Sequence, residues 1–199
     1  MAIENSKKKI GFDFDKVFVS YPPVIPDILI DYLYKGNIVL KKGNDFNNLK
    51  YRMPGFLEQQ LRIFSHNHIF RPPLKNNIKA LRKLRKNSDH KLYLISSRFG
   101  FLKDQTNAWL DRQKLRKDFD GIHFNFENKQ PHIFKENVIK KLQITHYVDD
   151  DLDLLVYLSK KMPENNFFWI TDKKNHSYKN PKKNIIIIKS IKNLFAKYL

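Results

Sequence analysis

Residues 9–15 have the sequence KIGFDFD, and the fold prediction starts from this short stretch. The first four residues are typical of a buried β-strand, and Asp13 and Asp15 follow where the chain leaves that strand. Two carboxylates separated by one residue can point toward the same space. Asp also commonly supplies turns and helix caps, so this pair alone is a weak signal, and its meaning depends on how the other strands end.

Short apolar, β-rich runs alternate with segments of helical period over most of the chain. Strands this apolar cannot face water, so we predict an α/β fold: a three-layer, Rossmann-like, doubly wound parallel sheet covered on both faces. The predicted strands are residues 9–14, 92–95, 121–126, 146–148, 167–171 and 184–188. The predicted helices are residues 77–86, 102–115, 134–142 and 152–161 and a last one from Ile191.

Residues 19–74 interrupt this alternation, and proline pairs stand near both ends of the interruption. Within it, the sequence predicts two helices and a polar loop, at residues 27–34, 54–64 and 41–48 respectively. We therefore predict one α/β core domain, residues 1–18 and 75–199, with a small, mostly helical cap inserted at residues 19–74.

The chain is strongly basic, with 38 Lys plus Arg against 20 Asp plus Glu and a net charge of +18. Such a surplus is typical of proteins that bind nucleic acid. Only 8 of the 38 are Arg, however, and Arg is the residue that phosphate and base recognition favours. Nucleic acid is therefore an alternative partner, and a solvated basic surface is the preferred interpretation.

The composition also excludes several classes of protein. The chain has no Cys, which excludes disulfide scaffolds, thiolate metal sites and cysteine nucleophiles. No apolar run approaches the roughly 20 residues of a membrane span, and no signal-peptide pattern is present near the N-terminus. We expect a cytoplasmic protein with no membrane partner, and the sequence leaves its oligomeric state open.

Polar residues that could take part in catalysis or in ligand binding follow two further strands. Ser96 and Ser97 follow residues 92–95, where hydroxyl and free N–H groups could hold a phosphate or simply cap a helix. Residues 149–151, three consecutive Asp, follow residues 146–148. Crowded carboxylates repel each other, and Mg²⁺ relieves that repulsion.

Two further residues near this acidic run have competing explanations. Asp153 lies beyond the run, and a helix N-terminus also stabilises acidic residues, so capping is an alternative role for Asp151 or Asp153. Lys135 precedes the acidic strand by one predicted helix and could reach over the strand ends toward a bound phosphate. In a chain with 30 Lys, this position alone carries almost no weight.

The order of these features is more informative than any one of them. Asp-x-Asp after the first strand, Ser after the second, Lys before a helix and an acidic pair after a later strand form a four-part signature. Because of this signature, residues 10–155 resemble the haloacid dehalogenase-like hydrolases. The residues that carry the resemblance are Gly11-Phe12-Asp13-Phe14-Asp15, Tyr93-Leu94-Ile95-Ser96, Lys135 and Tyr147-Val148-Asp149-Asp150.

The resemblance implies a Mg²⁺-dependent phosphatase that forms an aspartyl-phosphate. Asp13 would be the nucleophile and Asp15 the general acid and base. Ser96, with Ser97 as the second choice, and Lys135 would bind the phosphate. The implied metal ligands are Asp13, the backbone carbonyl of Asp15, Asp149 and Asp150, with Asp153 as a candidate outer acidic residue.

The chain departs from the family pattern at Lys16, where many members have Gly after the second Asp. A side chain at that turn could restrict its geometry or reach into the site, so a catalytically weakened protein is a further alternative.

The small insertion resembles the architecture of the 5′-nucleotidase branch and implies a small phosphorylated substrate, such as a nucleotide or sugar phosphate. Four residues of the insertion are candidates to face that substrate: Tyr21, Tyr51, Arg52 and Arg62. His66 and His68 could suggest a second metal, but two His at this spacing are more often a polar edge.

Overall fold

The strands that position the site belong to a single parallel sheet. The structure is a computed structural model and describes residues 7–21, 49, 51–171 and 183–199. The strands are β1 (Lys9–Phe12), β2 (Lys91–Ser96), β3 (Gly121–Phe124), β4 (His146–Asp149), β5 (Asn166–Ile170) and β6 (Ile185–Ile188). The helices are α1 (Phe56–Ser65), α2 (Lys75–Asn87), α3 (Lys103–Arg112), α4 (Pro131–Leu142), α5 (Leu152–Lys161) and α6 (Ile191–Tyr198).

The strand order is β3-β2-β1-β4-β5-β6, and every neighbouring pair is parallel. The order reverses between β1 and β4, which is the arrangement of a doubly wound sheet. In such sheets the ligand site lies beyond the carboxyl ends of the strands at the point of reversal. The predicted fold class is confirmed, and the sheet places the ends of β1 and β4 side by side.

Two apolar clusters cover the opposite faces of the sheet, because successive strand residues point to opposite sides. On one face, Ile10 and Phe12 of β1 pack in a cluster with the buried side of α2 and with α6. On the other face, Tyr147 of β4 packs with residues of α4 and α5. The core is therefore two layers of side chains on either side of a buried sheet.

Gly11 is required by close packing on the second face. A Cβ atom at this position would lie 2.8 Å from Cδ2 of Tyr147 and 3.1 Å from Cδ1 of Ile95. Tyr147 is fully buried, and its hydroxyl donates to the carbonyl of Ile95. The absence of a side chain at Gly11 thus lets Tyr147 lie across β1, directly beneath the end of the strand that carries Asp13.

Several predicted boundaries differ from the observed ones by a few residues. β1 ends at Phe12 rather than at residue 14, because the chain turns away from the sheet after Asp13. β3 ends at Phe124 because Asn125 exchanges two hydrogen bonds with the backbone of Lys129 and forms a turn. α4 begins three residues early, with Pro131 in its first turn, where a missing N–H costs nothing.

The inserted segment is described in part. Helix α1 corresponds to the second predicted helix, whereas the helix at residues 27–34 and the loop at residues 41–48 lie outside the described residues. The chain enters and leaves the insertion at one point, where Val19 forms a bridge with Pro73. The boundaries of the core and the cap remain a prediction.

No helix within the described ranges has the length and apolar composition that crossing a membrane requires.

The close packing at Gly11 predicts that Gly11→Ala destabilises the protein by about 1–3 kcal/mol, since overpacking a rigid core forces neighbours to shift. The measurement is the free energy of unfolding in urea. Gly55→Ala is the matched control, because nothing lies within 4 Å of a Cβ atom built there. A similar effect from both substitutions would contradict the packing argument.

Candidate active site

Two buried carboxylates stand at the ends of the two central strands. Phe12 pairs with Val148, and the backbone N–H of Asp13 donates to the carbonyl of Val148 at 2.9 Å. Asp149 is the last residue of β4. The register therefore places the two acidic residues at the same level, and they are only 6% and 1% exposed.

Lys135 connects these two carboxylates. It lies in the second turn of α4, and its Nζ donates to Oδ1 of Asp13 at 2.8 Å and to Oδ2 of Asp149 at 2.7 Å. Burial alone would lower the pKa of Lys135, but the two carboxylates raise it well above its ordinary value and keep the ammonium charged. Three residues that the sequence placed on three elements thus meet at one buried point.

Asp150 completes a group of carboxylates at this point. Among the residues that the structure describes, one group could hold a metal: carboxylate oxygens of Asp13, Asp149 and Asp150, all within 4.8 Å of one another. An all-oxygen set of this size suits a hard divalent cation such as Mg²⁺. The residues present therefore fit a metal ion.

The electrostatics of the group also favour a cation. Burial, together with the neighbouring Asp149 and Asp151, raises the pKa of Asp150 to about 7 although Lys16 opposes the shift. Burial and the neighbouring carboxylates raise the pKa of Asp13 well above its ordinary value although Lys135 opposes it. The lysines do not compensate the carboxylates fully, so additional positive charge at this position would stabilise them.

Asp15 has a different environment although it is only two residues from Asp13. Its carboxylate accepts two hydrogen bonds from Arg98, Nε to Oδ2 at 2.8 Å and Nη2 to Oδ1 at 2.6 Å, and a further short bond from Nη2 of Arg71. Burial alone would raise the pKa of Asp15, but the two guanidinium groups hold it well below its ordinary range. Asp15 is therefore a carboxylate in a double ion pair.

Sequence reasoning did not identify the two arginines as site residues. Nη1 of Arg98 donates to Thr106 at 3.0 Å, and its guanidinium lies 4.5 Å from the centre of the Phe14 ring. The backbone carbonyl of Arg71 accepts from Nε1 of Trp109 at 2.7 Å. The one available signal was the position of Arg98 directly after the serines that follow β2.

The other predicted polar residues occupy distinct positions. Ser96 is the last residue of β2 and is buried, whereas Ser97 is partly exposed. The carboxylate of Asp151 accepts from the backbone N–H groups of Asp153 and Leu154, so Asp151 is the N-cap of α5. Asp153 lies in the first turn of α5 and is not a member of the carboxylate group.

Lys16 reaches the site from the turn after β1. Its Nζ lies 3.4 Å from Oδ2 of Asp150 and 4.5 Å from the centre of the Tyr21 ring. The Arg71 guanidinium lies 5.2 Å from the same ring. Tyr21 thus contacts two cations that are paired with carboxylates of the site.

The other three candidates for substrate contact have partners elsewhere. The hydroxyl of Tyr51 donates to Asp151 at 3.1 Å, which joins the insertion to the core. Arg52 and Arg62 both pair with Glu58.

His66 is buried and bonded through Nδ1 to the carbonyl of Arg62, and burial lowers its pKa well below the ordinary value. Neither His66 nor His68 belongs to a metal-binding group within the described part of the chain.

Comparison with known proteins places this geometry in a known fold. No family model and no curated protein matches the sequence. Solved structures match over nearly the whole chain. A haloacid dehalogenase-like hydrolase from Bacteroides fragilis has a TM-score of 0.62 at 14% identity and covers 94% of this chain and 99% of its own. The chain has the haloacid dehalogenase-like fold.

Two further matching structures have different activities in their names. The L-2-haloacid dehalogenase from Xanthobacter autotrophicus, with chloropropionic acid covalently bound, has a TM-score of 0.58 at 10% identity and covers 97% of this chain and 100% of its own. A protein from Haemophilus somnus described as a predicted phosphoglycolate phosphatase has a TM-score of 0.57 at 10% identity and covers 96% of this chain and 97% of its own. At these identities the likeness concerns the fold, and function has to be argued from the site.

The raised pKa of Asp150 predicts a specific pH dependence of stability in EDTA. Between about pH 4 and pH 7 the folded protein retains a proton on Asp150 that the unfolded chain has lost. Stability is therefore lost as the pH rises toward 7, by up to about 1.4 kcal/mol per pH unit from this group, and levels off above it. Asp150→Asn removes this contribution.

The measurement is the free energy of unfolding of wild type minus that of Asp150→Asn, from pH 5 to pH 8. This difference cancels the contributions of the His residues. Asp104→Asn, at an exposed position of α3, is the control and should track wild type. A difference that does not change with pH would contradict the assigned environment of Asp150.

Proposed function

We propose that the protein is a Mg²⁺-dependent phosphatase that hydrolyses a small phosphomonoester through an aspartyl-phosphate on Asp13. The observation that carries this proposal is the Lys135 ammonium between Asp13 and Asp149, beside a carboxylate group that fits a divalent cation. The fold adds support, since one structural neighbour is described as a predicted phosphatase and another holds a covalently bound acid.

The carboxylates of Asp13, Asp149 and Asp150 would hold the metal, with the backbone carbonyl of Asp15 as the fourth protein ligand in this proposal. A bound Mg²⁺ would offset the negative charge of the phosphate and allow an anionic nucleophile to approach it. Nucleophilic attack, phosphate binding and proton transfer would be carried out by side chains of the protein.

Asp13 is the nucleophile in this proposal. It stands at the exit of β1, where its backbone N–H is paired with β4 and its position is fixed by the sheet. Attack of a carboxylate oxygen on phosphorus forms the acyl-phosphate bond and releases the leaving oxygen, which divides one difficult displacement into two easier steps. A rigid position matters because the reacting atoms must be held close and in line.

Lys135 and Ser96 would bind the oxygens of the phosphoryl group. An ammonium group has three donors, and two of those of Lys135 are used by Asp13 and Asp149. The third can bind a phosphoryl oxygen and stabilise the charge that spreads over it in the transition state. Ser96 adds a hydroxyl at the end of the neighbouring strand, and Ser97 is the second choice.

Asp15 would transfer the protons. Its ion pairs with Arg98 and Arg71 keep it as a carboxylate, which is the form that accepts a proton from water when the aspartyl-phosphate is hydrolysed. Asp15 can protonate the leaving oxygen in the first step only after it has taken up a proton from solvent, which requires one guanidinium contact to give way. In this proposal, therefore, Asp15 acts as a base more readily than as an acid.

The substrate would be a nucleotide or a sugar phosphate. Among the residues of the insertion, Tyr21 has the position that best supports contact with the leaving group, because its ring lies beside Lys16 and Arg71 at the site. An aromatic face next to cations suits a base or a sugar ring attached to a phosphate. A phosphorylated end of a nucleic acid remains an alternative, supported by the net charge of +18.

The proposal predicts that Asp13→Asn lowers kcat/KM by at least about 1,000-fold, since removal of a nucleophile abolishes covalent catalysis. The assay uses p-nitrophenyl phosphate, nucleoside monophosphates, sugar phosphates and an oligonucleotide with a terminal phosphate, each with Mg²⁺ and with EDTA. Asp104→Asn is the control and should retain wild-type rates. Equal rates from wild type and Asp13→Asn would contradict the proposal.

The same panel separates the alternatives. Preference for the oligonucleotide, with an affinity that falls steeply with salt, would favour a nucleic-acid end as the substrate. Mg²⁺ binding without turnover of any substrate would favour a catalytically weakened protein.

A further inference from the structure

Lys16 adopts a backbone conformation that a lysine rarely takes. Its φ is 56°, in the left-handed region, where the Cβ atom of any residue other than Gly is crowded by the backbone. The turn is held in place, since the N–H of Lys16 donates to the carbonyl of Val19 at 2.7 Å. A glycine would fit this turn with less strain, and the glycine that many related proteins have here would also lack the side chain that Lys16 directs to the site.

The side chain extends to the carboxylate group. Nζ of Lys16 lies 3.4 Å from Oδ2 of Asp150, and the Tyr21 ring flanks it at 4.5 Å. Two lysines therefore approach the same three carboxylates from different elements, Lys135 at Asp13 and Asp149 and Lys16 at Asp150.

The two lysines are held very differently. Lys135 is buried and makes two hydrogen bonds of 2.8 and 2.7 Å, so it is a fixed part of the site. The side chain of Lys16 is 32% exposed, and its contact with the carboxylate of Asp150 is longer, at 3.4 Å. A partly exposed ion pair of this kind is weak and can exchange for another cation. Of the two lysines that neutralise the carboxylate group, Lys16 is therefore the one that another cation can displace.

We propose that Lys16 is a tethered competitor for the metal: its ammonium group holds Asp150 in the metal-free protein and gives up that carboxylate when Mg²⁺ binds. Lys16 thereby weakens Mg²⁺ binding and sets the Mg²⁺ concentration at which the site fills. This inference rests on the metal site of the proposed function, and it assigns Lys16 a positioning role toward Asp150 rather than a catalytic one.

The test is titration of the purified, metal-free protein with MgCl₂ by calorimetry, which reads binding and not activity. Lys16→Met keeps most of the length of the side chain and removes its charge. Lys16→Gly also removes the charge and suits the left-handed turn, so it keeps the test valid if Lys16→Met folds poorly. Both variants should bind Mg²⁺ about fivefold more tightly than wild type, the factor that loss of a weak competing ion pair gives. Lys16→Arg should stay within about twofold of wild type.

Lys114 offers a matched control. It also has a left-handed φ, of 51°, and it is exposed in a turn after α3, where it is not part of the carboxylate group. Both Lys114→Met and Lys114→Gly remove the same charge elsewhere on the molecule, and Lys114→Gly also removes the same kind of backbone strain. Both should leave the Kd for Mg²⁺ within about twofold of wild type, which separates a local effect from one of net charge.

A second measurement uses thermal unfolding with and without Mg²⁺. A ligand that binds more tightly stabilises the folded state more, so saturating Mg²⁺ should raise the Tm of Lys16→Gly by more than that of wild type or Lys114→Gly. An unchanged or weaker Kd in both Lys16→Met and Lys16→Gly would overturn the inference about Lys16 and leave the metal site intact. Absence of Mg²⁺ binding in every chain would overturn the metal site itself, and the inference with it.

Discussion

The ion pairs of Lys135 are the constraint on which the rest of the site depends. They join β1, β4 and α4 at a single buried point, through Asp13 and Asp149. Two carboxylates this deeply buried cannot both stay charged without a cation between them, because burial penalises each charge and the charges repel each other. Removal of one partner from a buried pair of this kind typically costs about 3–5 kcal/mol. Asp13 is thus held in place by the same contact that offsets the cost of burying its charge.

The fold makes this contact possible through backbone geometry. The strand order reverses between β1 and β4, so Asp13 and Asp149 leave the sheet side by side. On the face below them, Gly11 leaves room for the Tyr147 ring, and α4 packs on that same face and directs Lys135 back over the strand ends. A site built in this way is rigid at its centre, and its variable parts lie in the turn after β1 and in the insertion.

The sequence predicts the centre of the site better than its edges. The apolar run of β4 and the acidic residues after it are local patterns that can be recognised in the sequence. The position of Lys135 alone does not indicate a site residue, but the order of the four motifs does. The partners of Asp15 could not be predicted in this way, since Arg98 and Arg71 lie 83 and 56 residues away along the chain, and only the folded chain brings them together. The start of α5 is a local pattern as well: the helix predicted at residues 152–161 has the observed bounds, and Asp151, one of the two capping candidates, is its N-cap.

The environments of Asp13 and Asp15 differ in a way that suits two roles in one reaction. Phe14 separates them along the chain and is buried against the ring of Trp109. The pKa of Asp13 is raised by burial among other carboxylates, whereas the pKa of Asp15 is lowered by two guanidinium groups. Environments that shift two neighbouring pKa values in opposite directions are how a protein assigns different roles to identical groups.

A divalent cation beside Asp13 would lower its pKa and make it an effective nucleophile. A phosphate that draws either arginine toward itself would raise the pKa of Asp15 at the step where a proton is needed. Binding of the metal and of the substrate would therefore move the two groups toward their working states, and the first change follows from the charge that the metal adds and the second from the movement of an arginine that the fold already holds within hydrogen-bonding distance of Asp15.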